Sequence, residues 1–182
     1  MDSLLPGSRL GRYEVLERIG RGGMASVFRA HDPELDRDVA IKVLPSYRAE
    51  SPALVERFTQ EAQALAGLCH SNIVQFHDFG EDKGFSYIAM EYVTGGTLQE
   101  RLGRLLPLAD VLELIGPLAD ALETAHGQGI VHRDIKPSNV LMEARRRLVG
   151  RPRAAVGPNA DEYDRQEREP KHIVLRRDIP VV

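Results

Sequence analysis

A glycine-rich turn between two stretches of alternating apolar and polar residues is the feature that most limits how this chain can fold. Residues 13–19 alternate well enough to predict a strand, and residues 26–30 resume the pattern after glycines at positions 20, 22 and 23. A dinucleotide-binding unit would follow its glycines with a helix, whereas here a strand follows them. The pattern therefore predicts a β-hairpin whose glycine backbone can approach a phosphate closely and turn its N–H groups toward it.

A second informative segment, residues 130–141, places polar residues between two apolar pairs. Asp134 can accept a proton, Lys136 can hold the charge of a phosphate, and Asn139 offers an amide oxygen to a hard cation such as Mg²⁺. Phosphoryl transfer depends mainly on positioning a nucleophile, a phosphate and a metal, so this set suits that chemistry. The apolar pairs at both ends predict two short buried strands. The alternative, a charged turn between strands, would need no particular order of residue types.

Lys42 lies inside an apolar strand predicted for residues 38–44, where an unpaired ammonium group would be costly to bury. The residue therefore requires an anionic partner, unless it is an edge lysine that extends to water. Ser51 and Pro52 predict the start of a helix, with a capping residue followed by proline at the first helical position. On this helix Glu61 lies beside the predicted inward stripe, where a charge would need a partner such as Lys42.

The composition of the 182-residue chain is that of a soluble globular protein, with 42% hydrophobic and 28% charged residues. A net charge of -3 and a pI near 6.1 give no electrostatic reason to expect nucleic acid or an acidic membrane surface as a partner. The single cysteine, Cys69, cannot form an internal disulfide, which is typical of a reducing cytosol. Because no apolar run approaches about 18 residues and the start lacks signal-peptide features, we expect a cytoplasmic protein.

The pattern His-Arg-Asp-x-Lys-Pro-x-Asn at residues 132–139 resembles the catalytic loop of the eukaryotic-type (Hanks-type) serine/threonine protein kinases. In that loop the serine/threonine branch carries a lysine where Lys136 stands. The Val-Ala-Ile-Lys segment ending at Lys42 is similar to another motif of the same family. The glycine turn departs from the family's Gly-x-Gly-x-x-Gly at the third glycine, where Ala25 stands.

The resemblance implies an α+β protein-kinase-like fold. Its N-lobe would be a five-stranded antiparallel sheet with the αC helix, followed by the first part of a helical C-lobe. In this sequence, 69–76 and 85–93 would supply the last two strands of the sheet, and 107–126 a long helix. The implied division of the chain is an N-terminal extension at 1–12, the ATP-binding N-lobe at 13–93, the start of the C-lobe with its catalytic loop at 94–143, and a divergent tail at 144–182.

The resemblance also implies the residues of the site. Asp134 would be the catalytic base, Lys136 a second catalytic residue, and Asn139 the ligand of Mg²⁺. Lys42 would bridge the α- and β-phosphates of ATP and the carboxylate of Glu61. The implied ATP-binding residues, from the glycine turn to the back of the adenine pocket and the hinge, are Ile19, Gly20, Arg21, Gly22, Gly23, Val27, Ala40, Lys42, Glu61, Met90, Glu91, Val93 and Leu141.

After Leu141 the resemblance stops, because the Asp-Phe-Gly triplet, the activation segment and the later helices of the family do not follow. Residues 144–182 are charged and contain prolines but few apolar residues, which predicts a tail without a stable fold. Within this tail, residues 173–175 form the one strand-like piece. Such a change of composition is typical of a shifted coding frame or a gene cut short, and a divergent tail is the alternative.

Two functions follow from these observations. The first is a serine/threonine protein kinase that uses ATP and Mg²⁺ and phosphorylates the Ser or Thr hydroxyl of a protein substrate. The second is a catalytically inactive nucleotide-binding or regulatory module that docks to a partner kinase or regulator. The residues of the loop favour the first function. The second is favoured because the Asp-Phe-Gly triplet, the activation segment and the later helices of the family do not follow Leu141.

Overall fold

The structure is a computed structural model that describes residues 4–22, 25–45, 51–102 and 107–143, together with the backbone of 173–175. Its strands are β1 (Arg9–Leu10), β2 (Tyr13–Arg21), β3 (Ser26–Asp32), β4 (Arg37–Leu44), β5 (Phe76–Asp82), β6 (Phe85–Glu91), β7 (Val140–Met142) and β8 (Ile173–Leu175). Its helices are α1 (Pro52–Ala66), α2 (Leu98–Arg101) and α3 (Leu108–Gly127), and a 3₁₀ turn spans Pro137–Asn139.

One antiparallel sheet contains the first six strands in the order β1-β2-β3-β4-β6-β5. The structure thus adds a sixth strand, β1, to the five that the resemblance implies. In β1, Arg9 pairs with Glu14 and Leu10 pairs with Tyr13. Leu10 is fully buried in the core cluster of the sheet, and this burial holds a strand too short to be visible as a sequence pattern.

The hairpin between β5 and β6 is shifted relative to the sequence prediction. The sequence predicts the first of its strands over 69–76, whereas β5 begins only at Phe76. The chain turns at Lys83 and Gly84, which both have positive φ, 51° and 76°. Two adjacent residues with positive φ are typical of a tight type I′ turn, so only Lys83 and Gly84 separate the two strands. The predicted strand begins too early because Val74 is apolar and buried, as a strand residue would be, although it lies before β5.

The helix α1 starts where the Ser51-Pro52 pattern predicts and packs against one face of the sheet. The buried side chains Phe58, Ala62 and Leu65 contact a cluster that also includes Leu44 of β4 and Ile88 of β6. Burial of apolar surface of this kind contributes roughly 25 cal/mol per Å². This packing determines which face of the helix, and so which of its charged residues, meets the sheet.

A smaller cluster attaches α3 to the segment after α1. Leu68 and Ile73 pack there against Ala121 and Ala125 of α3, with Ile130 at the edge. The helix spans Leu108–Gly127, one residue later at each end than the predicted 107–126. This packing joins α3 to the segment that links α1 with β5.

The two apolar pairs around the 130–141 segment differ from each other. The second pair lies in β7, as predicted. The first pair is not in a strand, so that prediction was wrong. The N–H group of Ile130 donates to the carbonyl oxygen of Ala125 at 2.9 Å, and Val131 is 52% exposed. The backbone there completes the end of a helix, which leaves it unavailable for strand pairing.

The strand β8 pairs antiparallel with β7, with Leu141 opposite Val174. This confirms the strand-like character predicted for 173–175. The rest of the tail, at 144–172 and 176–182, lies outside the described residues, and the prediction that it lacks a stable fold stays a prediction. Among the helices in the described ranges, none combines the length and apolar character that a membrane span requires.

Candidate active site

A cleft lies between the sheet and β7. Strands β2, β3 and β4 supply its upper wall, the segment from the end of β6 onward supplies its back and side, and β7 supplies its floor. A mostly apolar cleft with a few polar groups is typical of a small-molecule site. The lining residues are Ile19, Val27, Ala40, Lys42, Val74, Met90, Glu91, Tyr92, Val93 and Leu141.

Most residues that were expected to bind ATP line this cleft, and the exceptions lie at the glycine turn or on α1. The turn is shorter than predicted, because β2 continues through Gly20 and Arg21. Gly22 follows and donates its N–H group to the carbonyl oxygen of Ala25 at 2.9 Å. These three residues are not among those that line the cleft. Gly23 lies outside the described residues.

Two lining residues, Val74 and Tyr92, are absent from the set implied by sequence. Tyr92 falls within the predicted hinge, between Glu91 and Val93, but its side chain carried no signal of its own. Val74 belongs to a segment that the sequence predicts to be a strand, and its burial against the cleft follows from packing rather than from strand pairing. Only the tertiary contacts therefore identify these two side chains.

Lys42 and Glu61 form the ion pair that the sequence suggests. Nζ of Lys42 lies 2.6 Å from Oε1 and 2.9 Å from Oε2 of Glu61. The Lys42 side chain is 10% exposed and that of Glu61 is 2% exposed, which rules out a lysine that extends into water. Two charges this buried are tolerated when they are paired and hydrogen-bonded. The pair holds the ammonium group of Lys42, a residue that lines the cleft, in one position.

The back of the cleft is held by main-chain and side-chain contacts of the hinge. Met90 packs against the cluster beneath α1, as do Phe76 and Phe79. The N–H group of Glu91 donates to the carbonyl oxygen of Gln75 at 2.9 Å, and its carboxylate accepts from the N–H group of Gln75 at 3.3 Å. These two bonds join Glu91 to the backbone of Gln75 and fix the position of the hinge. Contact between the hinge backbone and a base stays a prediction.

The polar loop at 132–139 is braced by its own side chains. His132 is almost fully buried, and its Nδ1 accepts a hydrogen bond from the N–H group of Asp134 at 3.2 Å. Arg133 adopts a positive φ of 61°, an uncommon backbone conformation for a residue other than glycine. Nδ2 of Asn139 donates to the carbonyl oxygen of Asp134 at 2.8 Å and to its Oδ2 at 3.1 Å. These bonds fix the direction of the Asp134 carboxylate.

The charged groups of this loop lie together. Nζ of Lys136 is 2.7 Å from Oδ2 of Asp134. The hydrogen bond from Lys136, followed by that from Asn139, holds the pKa of the Asp134 carboxyl below its usual value. The carboxylate is therefore ionised at neutral pH and can accept a hydrogen bond or a proton from a hydroxyl group.

Removal of the Lys136 charge is expected to raise the pKa of Asp134 toward its usual value. The Lys136→Met variant loses the largest cause of the lowering, while the hydrogen bonds from Asn139 can persist. The measurement is an NMR titration of the Asp134 carboxyl carbon. The control is Lys83→Met, because the Lys83 ammonium lies near Asp82, at 3.8 Å, rather than near Asp134. An unchanged Asp134 pKa in Lys136→Met would contradict the assignment.

Asn139 is the residue of this loop whose amide oxygen could hold a metal ion. Its side chain is nearly fully buried, and both described hydrogen bonds use the amide nitrogen, so the amide oxygen is the atom that can face a cation. Within the described part of the chain, no group of three or more His, Cys, Asp or Glu side chains could hold a metal ion. A magnesium ion can complete its coordination with phosphate oxygens and water. The loop therefore fits an ion that is bound together with a phosphate ligand.

Comparison with known proteins gives consistent matches. The sequence model of the family described as "Protein kinase domain" matches residues 13–149. A probable serine/threonine-protein kinase of Streptomyces coelicolor is 49% identical over 138 residues, which are 72% of this chain and 20% of that protein. Serine/threonine-protein kinase PrkC of Bacillus subtilis is 45% identical over 143 residues, which are 77% of this chain and 22% of that protein.

Comparison with solved structures also finds kinase domains. The crystal structure of the Mycobacterium tuberculosis PknI kinase domain superposes with a TM-score of 0.65 at 33% identity, covering 78% of this chain and 59% of that chain. The apo form of PpkA-294 superposes with a TM-score of 0.69 at 28% identity, covering 79% of this chain and 58% of that chain. The curved antiparallel sheet with α1 and the start of the helical lobe is therefore the kinase fold.

The matches also define how much of a kinase this chain represents. The chain spans about a fifth of the length of the curated relatives it matches. Those relatives are named as kinases, so the comparisons do not favour the inactive module. Kinases of this family act on proteins with ATP and a divalent metal. The family model covers the glycine turn, the buried Lys42–Glu61 pair and the whole loop at 132–139, and the chain accordingly belongs to the protein kinase domain family.

Proposed function

We propose that this chain carries the ATP site and catalytic loop of a serine/threonine protein kinase, which transfers the γ-phosphoryl group of ATP to a protein hydroxyl. The observation that carries the proposal is a cleft lined by a buried, paired lysine and by the strand that directly follows a braced polar loop. Lys42, held by Glu61, lines this cleft. The braced loop of Asp134, Lys136 and Asn139 leads into β7, whose Leu141 forms the floor.

The apolar part of the cleft is the proposed adenine site. Val27 and Ala40 on the upper wall and Leu141 on the floor offer flat apolar surfaces to the two faces of a base. The hinge at 91–93 provides backbone groups along the side of the cleft, and Met90 limits its depth. A flat base between apolar walls buries most of its surface, which is the usual arrangement of a small-molecule site.

The phosphate groups would extend from this cleft toward Lys42 and the catalytic loop. Because Glu61 already holds the Lys42 ammonium in place, little side-chain freedom is lost when an anion binds there. The glycine turn after β2 is the proposed cover of the phosphates, since its backbone N–H groups can approach them without side-chain obstruction.

The catalytic loop would position the acceptor hydroxyl. Asp134, ionised through its contact with Lys136, would accept the hydrogen bond and then the proton of a Ser or Thr hydroxyl. Lys136 would also stabilise negative charge on the transferred phosphoryl group. Asn139 would hold Mg²⁺, which when bound neutralises charge on the phosphates.

The proposed acceptor and location follow from residue types and charge. Lys136 occupies the position that the serine/threonine branch of the family fills with lysine, which supports a Ser or Thr hydroxyl rather than Tyr. We propose no nucleic-acid partner, because a chain with a net charge of -3 offers no electrostatic attraction to phosphate backbones. The cytoplasm is the proposed location, where ATP and Mg²⁺ are supplied.

The direct test is transfer of labelled phosphate from ATP and Mg²⁺ to a generic basic protein, followed by identification of the modified residues. The proposal expects phosphoserine and phosphothreonine, and it expects incorporation to stop when the divalent metal is removed with a chelator. Incorporation that is confined to tyrosine, or that persists without a divalent metal, would contradict the proposal, as would a chain that neither binds ATP nor transfers phosphate.

The Lys42→Met variant is expected to bind ATP tenfold or more weakly than the wild type. The substitution removes a charge-assisted hydrogen bond to the phosphates of about 1.5 to 3 kcal/mol. Calorimetric titration with ATP measures the change. The control is Lys83→Met, an exposed lysine in the β5–β6 turn that does not line the cleft. Equal ATP affinity in Lys42→Met and the wild type would show that Lys42 does not contact the phosphates.

A further inference from the structure

Arg29 extends the upper wall of the cleft beyond the residues that line it. In the sheet, Arg29 of β3 lies opposite Glu17 of β2 and opposite Ala40 of β4. Directly opposed residues in an antiparallel sheet share a face, and alternate residues of one strand do so too. Ala40 and Val27 both line the cleft. Arg29 is therefore on the face of the sheet that meets the ligand, just outside the apolar part of the wall.

The guanidinium of Arg29 joins all three strands of this wall. Its Nε and Nη2 donate to Oδ2 of Asp38 on β4 at 2.8 Å and 2.6 Å. Its Nη1 donates to Oε1 of Glu17 on β2 at 3.1 Å. A planar guanidinium held by a forked contact to one carboxylate and a third bond to another has a fixed orientation, which a lysine could not reproduce.

The same guanidinium also contacts the hinge. Its central carbon lies 5.2 Å from the centroid of the Tyr92 ring, within the range of a cation–π contact. Tyr92 lines the cleft and follows β6 directly. One side chain thus connects the strands that flank the glycine turn with the segment proposed to meet the base.

We propose that Arg29 is a positioning residue that sets the spacing between the upper wall of the cleft and the hinge, and thereby the affinity for the purine base. The inference rests on the proposed function, since the ligand it concerns is ATP. An ion pair at the surface contributes little to stability, and the Arg29 side chain is 35% exposed, so its ion pairs alone would have a small effect. The contact with Tyr92 distinguishes Arg29 from such pairs, because it joins the network to a wall of the cleft.

Arg12 offers a control with the same types of contact; its partner Asp32 is fully buried, so Arg12→Leu is compared with the wild type only where the variant folds. The Arg12 side chain is also 35% exposed, it pairs with Asp32 and Glu34, and it lies 5.1 Å from the centroid of the Tyr13 ring. Neither Arg12 nor Tyr13 lines the cleft. Arg12→Leu therefore removes the same types of contact as Arg29→Leu, but at a distance from the proposed ligand.

Calorimetric titration with ATP tests the proposal. Arg29→Leu is expected to weaken ATP binding about three- to tenfold. This is the effect expected when one cation–π contact and the hydrogen bonds that orient the guanidinium are lost. Arg12→Leu is expected to bind ATP like the wild type. Arg29→Lys, which keeps the cation but not the fork, is expected to recover part of the affinity and serves as the second variant if Arg29→Leu does not fold. Wild-type affinity in folded Arg29→Leu, or equal losses in Arg29→Leu and Arg12→Leu, would overturn the proposal.

A second readout does not depend on nucleotide. The chain contains no tryptophan, so Tyr92→Trp introduces a single fluorescent probe at the hinge. Acrylamide should quench this probe about twofold more strongly when Arg29→Leu is added, because the guanidinium no longer shields the ring from solvent. Adding Arg12→Leu instead should leave the quenching unchanged. If the wild type binds no ATP, the proposed function fails, and the quenching result alone decides whether Arg29 holds the hinge. Equal quenching with and without Arg29 would overturn the inference.

Discussion

Replacement of Asp134 by asparagine is expected to lower the rate of phosphoryl transfer about 10²- to 10⁴-fold, the usual contribution of a general base. The amide of the variant can still accept a hydrogen bond. The backbone N–H group of residue 134 can still donate to His132, and Asn139 can still donate to the carbonyl oxygen of residue 134. The loop should therefore keep its shape while it loses the group that accepts the proton. Affinity for ATP should change little, because Asp134 does not line the cleft.

The measurement is the initial rate of phosphate transfer to a protein substrate at saturating ATP, with calorimetry to confirm binding. The control is Asp120→Asn, since Asp120 is an exposed aspartate on α3, away from the loop. A separate substitution, Lys136→Met, should also lower the rate, because it removes a charge next to the phosphoryl group. If Asp134→Asn transfers phosphate at the wild-type rate, Asp134 is not the base and the assignment of the loop is wrong.

The second large effect is expected from Glu61→Ala, which should reduce the free energy of unfolding by about 3 to 5 kcal/mol. Glu61 is 2% exposed and holds the Lys42 ammonium with both carboxylate oxygens. Its removal breaks a buried ion pair and leaves space between α1 and the sheet. Urea unfolding of the wild type and the variant, with comparison of the midpoints at similar slopes, measures the loss.

Two further variants separate the possible causes of this effect. Glu56→Ala changes an exposed glutamate on the same helix, which contacts Gln60 at 3.3 Å, and should alter stability by no more than about 0.5 kcal/mol. Lys42→Met combined with Glu61→Leu replaces both charges by apolar groups and should recover most of the stability without restoring ATP binding. If Glu61→Ala and Glu56→Ala unfold at the same urea concentration, the ion pair does not stabilise the fold.

Several differences between the sequence prediction and the structure have a common origin. The sequence shows Val74 in an apolar run and Ile130–Val131 as an apolar pair, and both patterns are compatible with strands. In the structure the first is buried without strand pairing, and the backbone of Ile130 completes the end of α3. A short apolar run is therefore compatible with a strand but does not decide its own burial, since Val74 is buried whereas Val131 is 52% exposed.

The amino-acid sequence by itself determined the parts of this protein whose chemistry lies within one short segment. The glycine hairpin, the lysine within an apolar strand and the order Asp134, Lys136, Asn139 all follow from local sterics, strand alternation and residue type. The loop is compact because its bracing bonds, from Asp134 to His132 and from Asn139 to Asp134, join residues that are close in the chain. Such contacts need no other part of the fold.

Only the tertiary structure decided which distant groups meet. It selected Glu61 as the partner of Lys42, because packing of Phe58 and Leu65 turns that side of α1 toward the sheet. It added β1 to the sheet and placed Tyr92 beneath Arg29. These contacts join elements far apart in the sequence, so they exist only when burial of the core fixes the relative positions of the strands, the helix and the hinge.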